Sequence, residues 1–205
     1  MFYRRARRGF LLPAAMIRPA RQSDADALWR ILEPVIRAGE TYPLPRDLSR
    51  QDALAYWLSP AHEVFVATDD GPAAGTAEAE AGAGGDAEAS EGAAGDAESP
   101  DERIIGTFYL KANQSGGGAH VANCGYMVAR GATGRGVARQ MCTFSLERAK
   151  ARGFHAMQFN FVIATNDRAV KLWQAMGFAT VGRLPGAFAH PTHGYVDALV
   201  MWRDL

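Results

Sequence analysis

Between residues 119 and 163 the chain reads strand, glycine-rich turn, helix, strand, and this run constrains the fold more than any other feature. Residues 119–129 have the apolar character of a buried strand. Gly134 and Gly136 then punctuate a turn. Over residues 134–152, Val137, Ala138, Met141, Cys142, Ser145, Leu146 and Ala149 fall on one helical face, and Gly153 follows as a stop. Residues 154–163 form the next strand. Strands joined through a helix lie parallel, with a right-handed crossover. The expectation is an α/β fold built around one parallel pair.

The flanks add antiparallel strands and further helices. Residues 16–20 read as a short strand. Ser23 with Asp26 is a capping-box pattern opening a helix whose apolar stripe is Leu28, Ile31, Leu32, Val35 and Ile36, with Pro34 as a kink or break. Residues 39–45 form an ordered turn, and Ser49 with Asp52 caps a helix carrying Leu54, Tyr56, Trp57 and Leu58. Residues 62–68 and 103–111 read as strands. Thr165 or Asn166 caps a helix through Met176, ended by Gly177. Residues 178–182 and 195–202 are the last two strands, with 184–195 a mobile loop near the acceptor pocket.

Composition explains the rest of the organisation. The chain has 205 residues and zero formal net charge. Residues 71–102 hold nine of the 22 Asp and Glu and no Lys or Arg, leaving 13 acidic against 22 basic side chains elsewhere. This Gly, Ala and acid-rich insert has no aromatic or β-branched aliphatic residue, so it is expected to stay disordered. It sits between two strands, as an expanded hairpin loop or, less economically, a domain linker. Residues 1–15 read as a disordered leader, or as an upstream start with Met16 the true beginning. Arg7-Arg8 with Leu11-Leu12 looks like a twin-arginine signal, but the apolar stretch is short and Arg18 interrupts it. One domain over 16–205, interrupted by 71–102, is the expected layout. The mildly basic remainder permits an anionic ligand without demanding nucleic acid. No apolar run is long enough for a bilayer, so no membrane partner is expected. Two cysteines, Cys124 and Cys142, exclude a disulfide scaffold and fit a reducing, cytoplasmic setting.

The turn at Thr133-Gly134-Arg135-Gly136-Val137-Ala138 opens a helix directly after a strand. Glycines allow close backbone approach, and a helix N-terminus supplies unpaired N–H groups and a positive dipole. The combination suits a pyrophosphate, with Arg130, Arg135 and Arg139 as added charge. Alone it is equally a tight turn that binds nothing. A dinucleotide site wants an acidic residue at the end of the next strand, and none is there. The second segment, from Asn166 through Ala169, Leu172 and Trp173 to Gly177-Phe178, is alone an ordinary capped helix.

In this order and spacing the two segments resemble the acetyl-CoA signature of the GCN5-related N-acetyltransferase (GNAT) superfamily. The first falls on Thr133, Gly136 and Ala138, the second on Asn166, Ala169, Leu172, Trp173, Gly177 and Phe178. The resemblance implies a mixed central sheet with splayed parallel central strands flanked by helices. It implies that backbone amides of Gly134, Arg135, Gly136, Val137, Ala138 and Arg139 hold the CoA pyrophosphate. It further implies that the Met127–Val128 edge pairs with the pantetheine arm, with Asn166 nearby. Trp173 stands where a tyrosine often protonates the departing thiolate, and an indole N–H cannot do so. Thr133 replaces the usual Arg or Gln, a phosphate contact that Arg130 or Arg135 could take over. Dimers are common in the superfamily.

A narrower similarity involves Asn123, Phe159-Asn160, Thr165-Asn166, Trp173, Pro185-Gly186 and Val196-Asp197-Ala198. These look like the branch containing the fungal acetyltransferase of proline analogues such as azetidine-2-carboxylate, in which two asparagines on the splayed strands face the substrate. Asn123 and Asn160 match them. Alternation places Asn123 with Val121, Gly125 and Met127, and Asn160 with Gln158 and Val162. Each could instead satisfy backbone groups where the strands splay. The amine must lose a proton before attack. Candidates to take it are Glu40, Tyr42, His120 or a water held by Asn123 and Asn160, with the water preferred. Tyr42 is also a candidate substrate contact. His190, Thr192, His193 and Asp197 match no metal-ligand spacing, so no metal is expected. The expected activity is direct acetyl transfer from acetyl-CoA to a small-molecule amine, an amino or imino acid leading. A peptide or protein amine is the second reading, and a non-catalytic acyl-CoA-binding module the third.

Overall fold

The computed structural model describes residues 15–69 and 103–205. The expected insert at 71–102 and the leader, apart from Ala15, lie outside the described residues. Among the described residues seven strands form one sheet: β1 (Met16–Pro19), β2 (Glu63–Asp69), β3 (Arg103–Ala112), β4 (Val121–Val128), β5 (Ala156–Ile163), β6 (Ala179–His190) and β7 (Gly194–Asp204), in the order β1-β2-β3-β4-β5-β7-β6. The helices are α1 (Ala25–Ala38), α2 (Arg50–Trp57), α3 (Val137–Ala151) and α4 (Asp167–Ala175). Every neighbouring pair is antiparallel except β4–β5. No helix among the described residues is long and apolar enough to cross a membrane.

Strand alternation fixes which helices cover which face. On β3 the Thr107 hydroxyl accepts a 3.0 Å bond from the Trp57 indole of α2. Its neighbour Gly106 lies against Val137 and Met141 of α3. Adjacent residues point to opposite faces, so α1 and α2 cover one side and α3 the other. The first side is packed by Ile31, Leu32, Ile36, Trp57 and Tyr109. The second is packed by Phe108, Val137 and Met141, and continues into a cluster where Phe159, Trp173 and Phe178 hold α4. Burial of this kind contributes about 25 cal/mol per Å² of apolar surface.

Several local expectations need correction. Ser23 does not cap α1: the Asp24 carboxylate accepts the Arg21 N–H at 2.6 Å and starts a short 3-10 turn that leads into the helix. Pro34 does not break α1, which runs to Ala38 and stops at Gly39 in the left-handed region. The stretch 184–195 is not a loop but the body of the β6–β7 hairpin. Pro185 and Gly186 lie within β6, where an edge strand tolerates them at a bulge. Pairing there jumps from Leu184↔Ala198 to Phe188↔Val196, and the Gly186 N–H donates to Asp197 Oδ1 at 2.9 Å. The Ser49 cap on Asp52 N–H at 3.1 Å is as expected. So is the pairing of β2 with β3, which makes 70–102 a connection between neighbouring strands.

Candidate active site

The site begins where β4 and β5 part. They pair only at Val121↔Ala156 and Ala122↔Met157. Beyond that point β5 bends: its register with β7 slips between Phe159↔Met201 and Val162↔Leu199. The extra residue is a bulge, which bends a strand and re-aims its side chains. The opening is a pocket of about 880 Å³ between the α1–α2 turn, the two strands and the start of α3 and α4.

The β4 edge facing the gap follows from the β3–β4 hydrogen bonds. Ala129 N–H donates to Ile105 O and Asn113 N–H to Val121 O, so odd-numbered β4 residues bond to β3. Cys124, Tyr126 and Val128 therefore turn their backbone groups to the opening. Of the expected pair Met127 and Val128, only Val128 offers its backbone there, while the Met127 backbone is committed to β3. The Tyr42 hydroxyl donates to the Tyr126 carbonyl at 2.9 Å, tying the α1–α2 turn across the pocket.

The cofactor end fits a pyrophosphate. Gly134 and Gly136 have φ of 90° and 81°, values that side-chain-bearing residues rarely adopt. A Cβ on Gly136 would meet nothing within 4 Å, so the backbone borders open space. The first helical bond of α3 runs from Gln140 N–H to Gly136 O, leaving the N–H groups of Val137, Ala138 and Arg139 without an intrahelical acceptor. Arg130, Arg139 and Arg168 line this end. Arg135 does not: its guanidinium grips the Asp69 carboxylate at 2.7 and 2.8 Å, which holds that carboxyl below its ordinary pKa. The suggestion that Arg135 replaces the missing phosphate contact is thus corrected, and Arg130 remains available. Asn166 lines the pocket with its Oδ1 capping the Ala169 N–H at 3.1 Å. Trp173 also borders the pocket, yet is buried among Tyr126, Phe159 and Phe178.

The other end of the pocket is a polar floor with an aromatic wall. Asn123 is buried and its Nδ2 donates across the splay to Gln158 O at 2.8 Å. Gln158 Nε2 donates to Asn160 Oδ1 at 2.8 Å, and Asn160 Nδ2 to Asn113 Oδ1 at 2.6 Å. The two asparagines are thus brought to one floor through Gln158. Val162 also lines the pocket, but the bulge packs it against the core beside Phe159 and off the face of Asn160. The wall is Tyr42, Tyr56 and Tyr109, with Tyr109 stacked on His62 at 4.2 Å and Glu40 at the exposed rim.

Chemistry narrows the roles. Burial pushes the Tyr42 phenol far above its usual pKa, so it serves as a donor and not a base. His120 does not line the pocket; its ring packs edge-on against His155 at 6.0 Å. Burial pushes the Cys124 thiol up to about 12, so it stays protonated and cannot act as a nucleophile. Sequence reading missed Tyr109, Lys111 and Asn113. Alternation along β3 could have found the first two. Asn113 lies just past the strand end and carried no signal.

A family model described as the acetyltransferase (GNAT) family matches residues 26–178. N-acetyltransferase aca1 of Schizosaccharomyces pombe is 28% identical over 168 residues, 80% of this chain and 72% of that protein. A GCN5-related N-acetyltransferase from Kribbella flavida superposes with a TM-score of 0.76 at 35% identity, covering 94% of this chain and 98% of that one. A phosphinothricin acetyltransferase of the superfamily from Sinorhizobium meliloti, solved with acetyl-CoA, shares the fold at a TM-score of 0.70 and 17% identity, covering 94% and 89%. The parted strands, the open α3 N-terminus and the matched stretch agree: the chain belongs to the GNAT family and is an acetyl-CoA-dependent N-acetyltransferase.

Proposed function

We propose that this enzyme passes acetyl directly to the amine of a small molecule, an amino or imino acid of the kind suggested by its similarity to the proline-analogue branch. The observation that carries the reading is the tie from Tyr42 to the Tyr126 carbonyl, 2.9 Å. It holds the α1–α2 turn across the acceptor end and narrows it to a walled pocket, where a peptide would want an open groove. The reading places the activity in the cytoplasm, in keeping with two buried, unpaired cysteines.

Bound acetyl-CoA supplies an activated thioester carbonyl. Its pyrophosphate would rest on the N–H groups of Gly136, Val137, Ala138 and Arg139, and its arm along the Val128 edge. Backbone N–H groups on the open β4 edge would polarise the carbonyl. Asn123 holds one lone-pair-bearing Oδ1 free of any described hydrogen bond and lines the pocket, so it can orient an amine N–H. Asn160 orients the amine from the opposite strand. Neither asparagine takes a proton. Water on this floor removes it, with Glu40 at the rim as the carboxylate that can accept it.

Thiol release from acetyl-CoA across small amines, amino and imino acids, polyamines and a lysine peptide tests this. Rapid release with small amino or imino acids is expected. Release only with the peptide overturns the acceptor class, and silence with acetyl-CoA bound points to an acceptor outside the panel. Asn123→Ala and Asn160→Ala should each cut turnover and leave CoA affinity intact. Asn123→Ala alone should lower the melting point, because it also abandons the Gln158 carbonyl at a cost of about 1–3 kcal/mol.

A further inference from the structure

Lys111 is a charge that the cofactor does not explain. It sits on β3 opposite Asn123, so its side chain leaves the sheet on the same face as the polar floor. It lines the pocket, with Nζ 5.8 Å from the centre of the Tyr109 ring. The other lining cations, Arg130, Arg139 and Arg168, come from α3, α4 and the turn before α3, where the phosphates of CoA would lie. Among the described residues no carboxylate lies within ion-pair distance of Lys111. Its field is felt inside the wall. Burial holds His62 below its usual pKa against the opposing bond to the Trp57 carbonyl, and the Lys111 charge adds a smaller push in the same direction. The single acid lining the pocket, Glu40, is likewise without an ion-pair partner among the described residues.

A cation at the acceptor end, with a carboxylate on the α1–α2 turn and uncharged amides between, complements a zwitterion. We propose that the acceptor carries a carboxylate beside its amine, and that the Lys111 ammonium binds this carboxylate and sets the specificity of the enzyme. The inference rests on the small-molecule reading above and adds the group that selects within it. An ammonium reads a carboxylate through charge-assisted hydrogen bonds, which discriminate strongly where water is partly excluded. The Tyr109 ring beneath Nζ keeps the cation over the pocket. The reacting amine keeps its place on Asn123 and Asn160, so Lys111 acts on binding and not on the chemical step.

The test compares proline with prolinamide and pyrrolidine, and a primary amino acid with its amide. The wild type should favour each acid over its amide by roughly 10- to 100-fold in kcat/KM, carried by KM. Lys111→Met and Lys111→Gln should bring the ratio close to one, and Lys111→Arg should keep most of it. Acetyl-CoA affinity and melting point report folding in every variant. Equal use of acid and amide by the wild type overturns the proposal, as does a preference that survives in folded Lys111→Met and Lys111→Gln. Calorimetric titration of proline and prolinamide into the CoA-loaded protein separates this inference from the transfer reading. Acid binding that is lost in Lys111→Met, without turnover, upholds the Lys111 site and sinks the small-molecule transfer. Absence of acid binding sinks the Lys111 site itself.

Discussion

Gly125→Ala puts a single methyl where the structure has no room. A Cβ at Gly125 would stand 2.7 Å from two carbons of the Tyr109 ring and 2.8 Å from its hydroxyl. The ring cannot retreat freely. Trp57 meets it edge-on at 5.0 Å, His62 stacks on it at 4.2 Å, and the Tyr56 hydroxyl lies 3.3 Å from its own. Overpacking of this kind costs about 1–3 kcal/mol. For a domain of this size a 2 kcal/mol loss lowers the melting point by roughly 4–8 °C. The ring's remaining escape is toward the acceptor pocket, so kcat/KM for the amine should fall about tenfold or more, while acetyl-CoA affinity holds. The measurement is a double-mutant cycle with Tyr109→Leu, read by thermal melting. Gly125→Ala should cost less than about 1 kcal/mol in the Tyr109→Leu background. Equal costs in both backgrounds would refute the argument, because the clash would then not be with that ring.

Asp69→Asn removes the two-pronged hold on Arg135, and KM for acetyl-CoA should rise several-fold with kcat little changed; a lower KM would mean the freed Arg135 reaches phosphate and that Asp69 does not position the turn. Cys124→Ala should keep kcat within about twofold, since a thiol pushed up to about 12 by burial takes no part in transfer; trapping an acetylated Cys124 would overturn direct attack. Burial alone would raise the Asp24 carboxyl, but hydrogen bonds from Arg18 and from the Arg21 N–H outweigh it and leave it below 3.8. Its stabilisation is therefore present above the ordinary carboxylate range and lost as pH falls through the folded value. The melting-point gap between wild type and Asp24→Asn should be widest near neutrality and shrink as pH falls below the ordinary carboxylate range.

The crossover, the glycine turn and the two asparagines were legible because each rests on local chemistry. Glycines mark backbone approach, a helix announces its own N-terminus, and an Asn inside an apolar strand needs a partner. What escaped depends on contacts far apart in sequence. Arg135 reads as a phosphate ligand until Asp69, 66 residues earlier, is seen to hold it. Alternation puts Asn160, Gln158 and Val162 on one face, but Val162 packs against the core beside Phe159, because period-two alternation assumes an unbroken ladder. The register slip between Phe159 and Val162 is set by pairing with β7, which the β5 sequence does not contain. The reading of 184–195 as a loop fails for the same reason: the Gly186 N–H is held by the Asp197 carboxylate across the hairpin, a partner that the local sequence does not show.

The bulge also explains how one gap serves two chemistries. Before it, even β5 residues face the α1–α2 side and odd ones the α3–α4 side. The slip lets β5 bend away from β4 while Phe159 and Val162 both stay in the core. Asn160 is left at the turn of the bend, exposed and tied to Gln158 and Asn113. On this side burial keeps Tyr42 and Tyr109 as neutral phenols, and on the α3–α4 side it keeps Cys124 a neutral thiol. The charged side chains that the acceptor side brings to the pocket are then Glu40 and Lys111. An ammonium entering there meets one carboxylate able to draw its proton through water, and a cation that repels it from the floor unless the ligand brings its own negative charge. Substituting Glu40→Gln should therefore lower kcat/KM most below the pKa of the amine, where the proton must still be removed, and the loss should narrow as pH rises and the free amine arrives already neutral. A loss that stays constant across that range would assign Glu40 to binding and leave deprotonation to water alone.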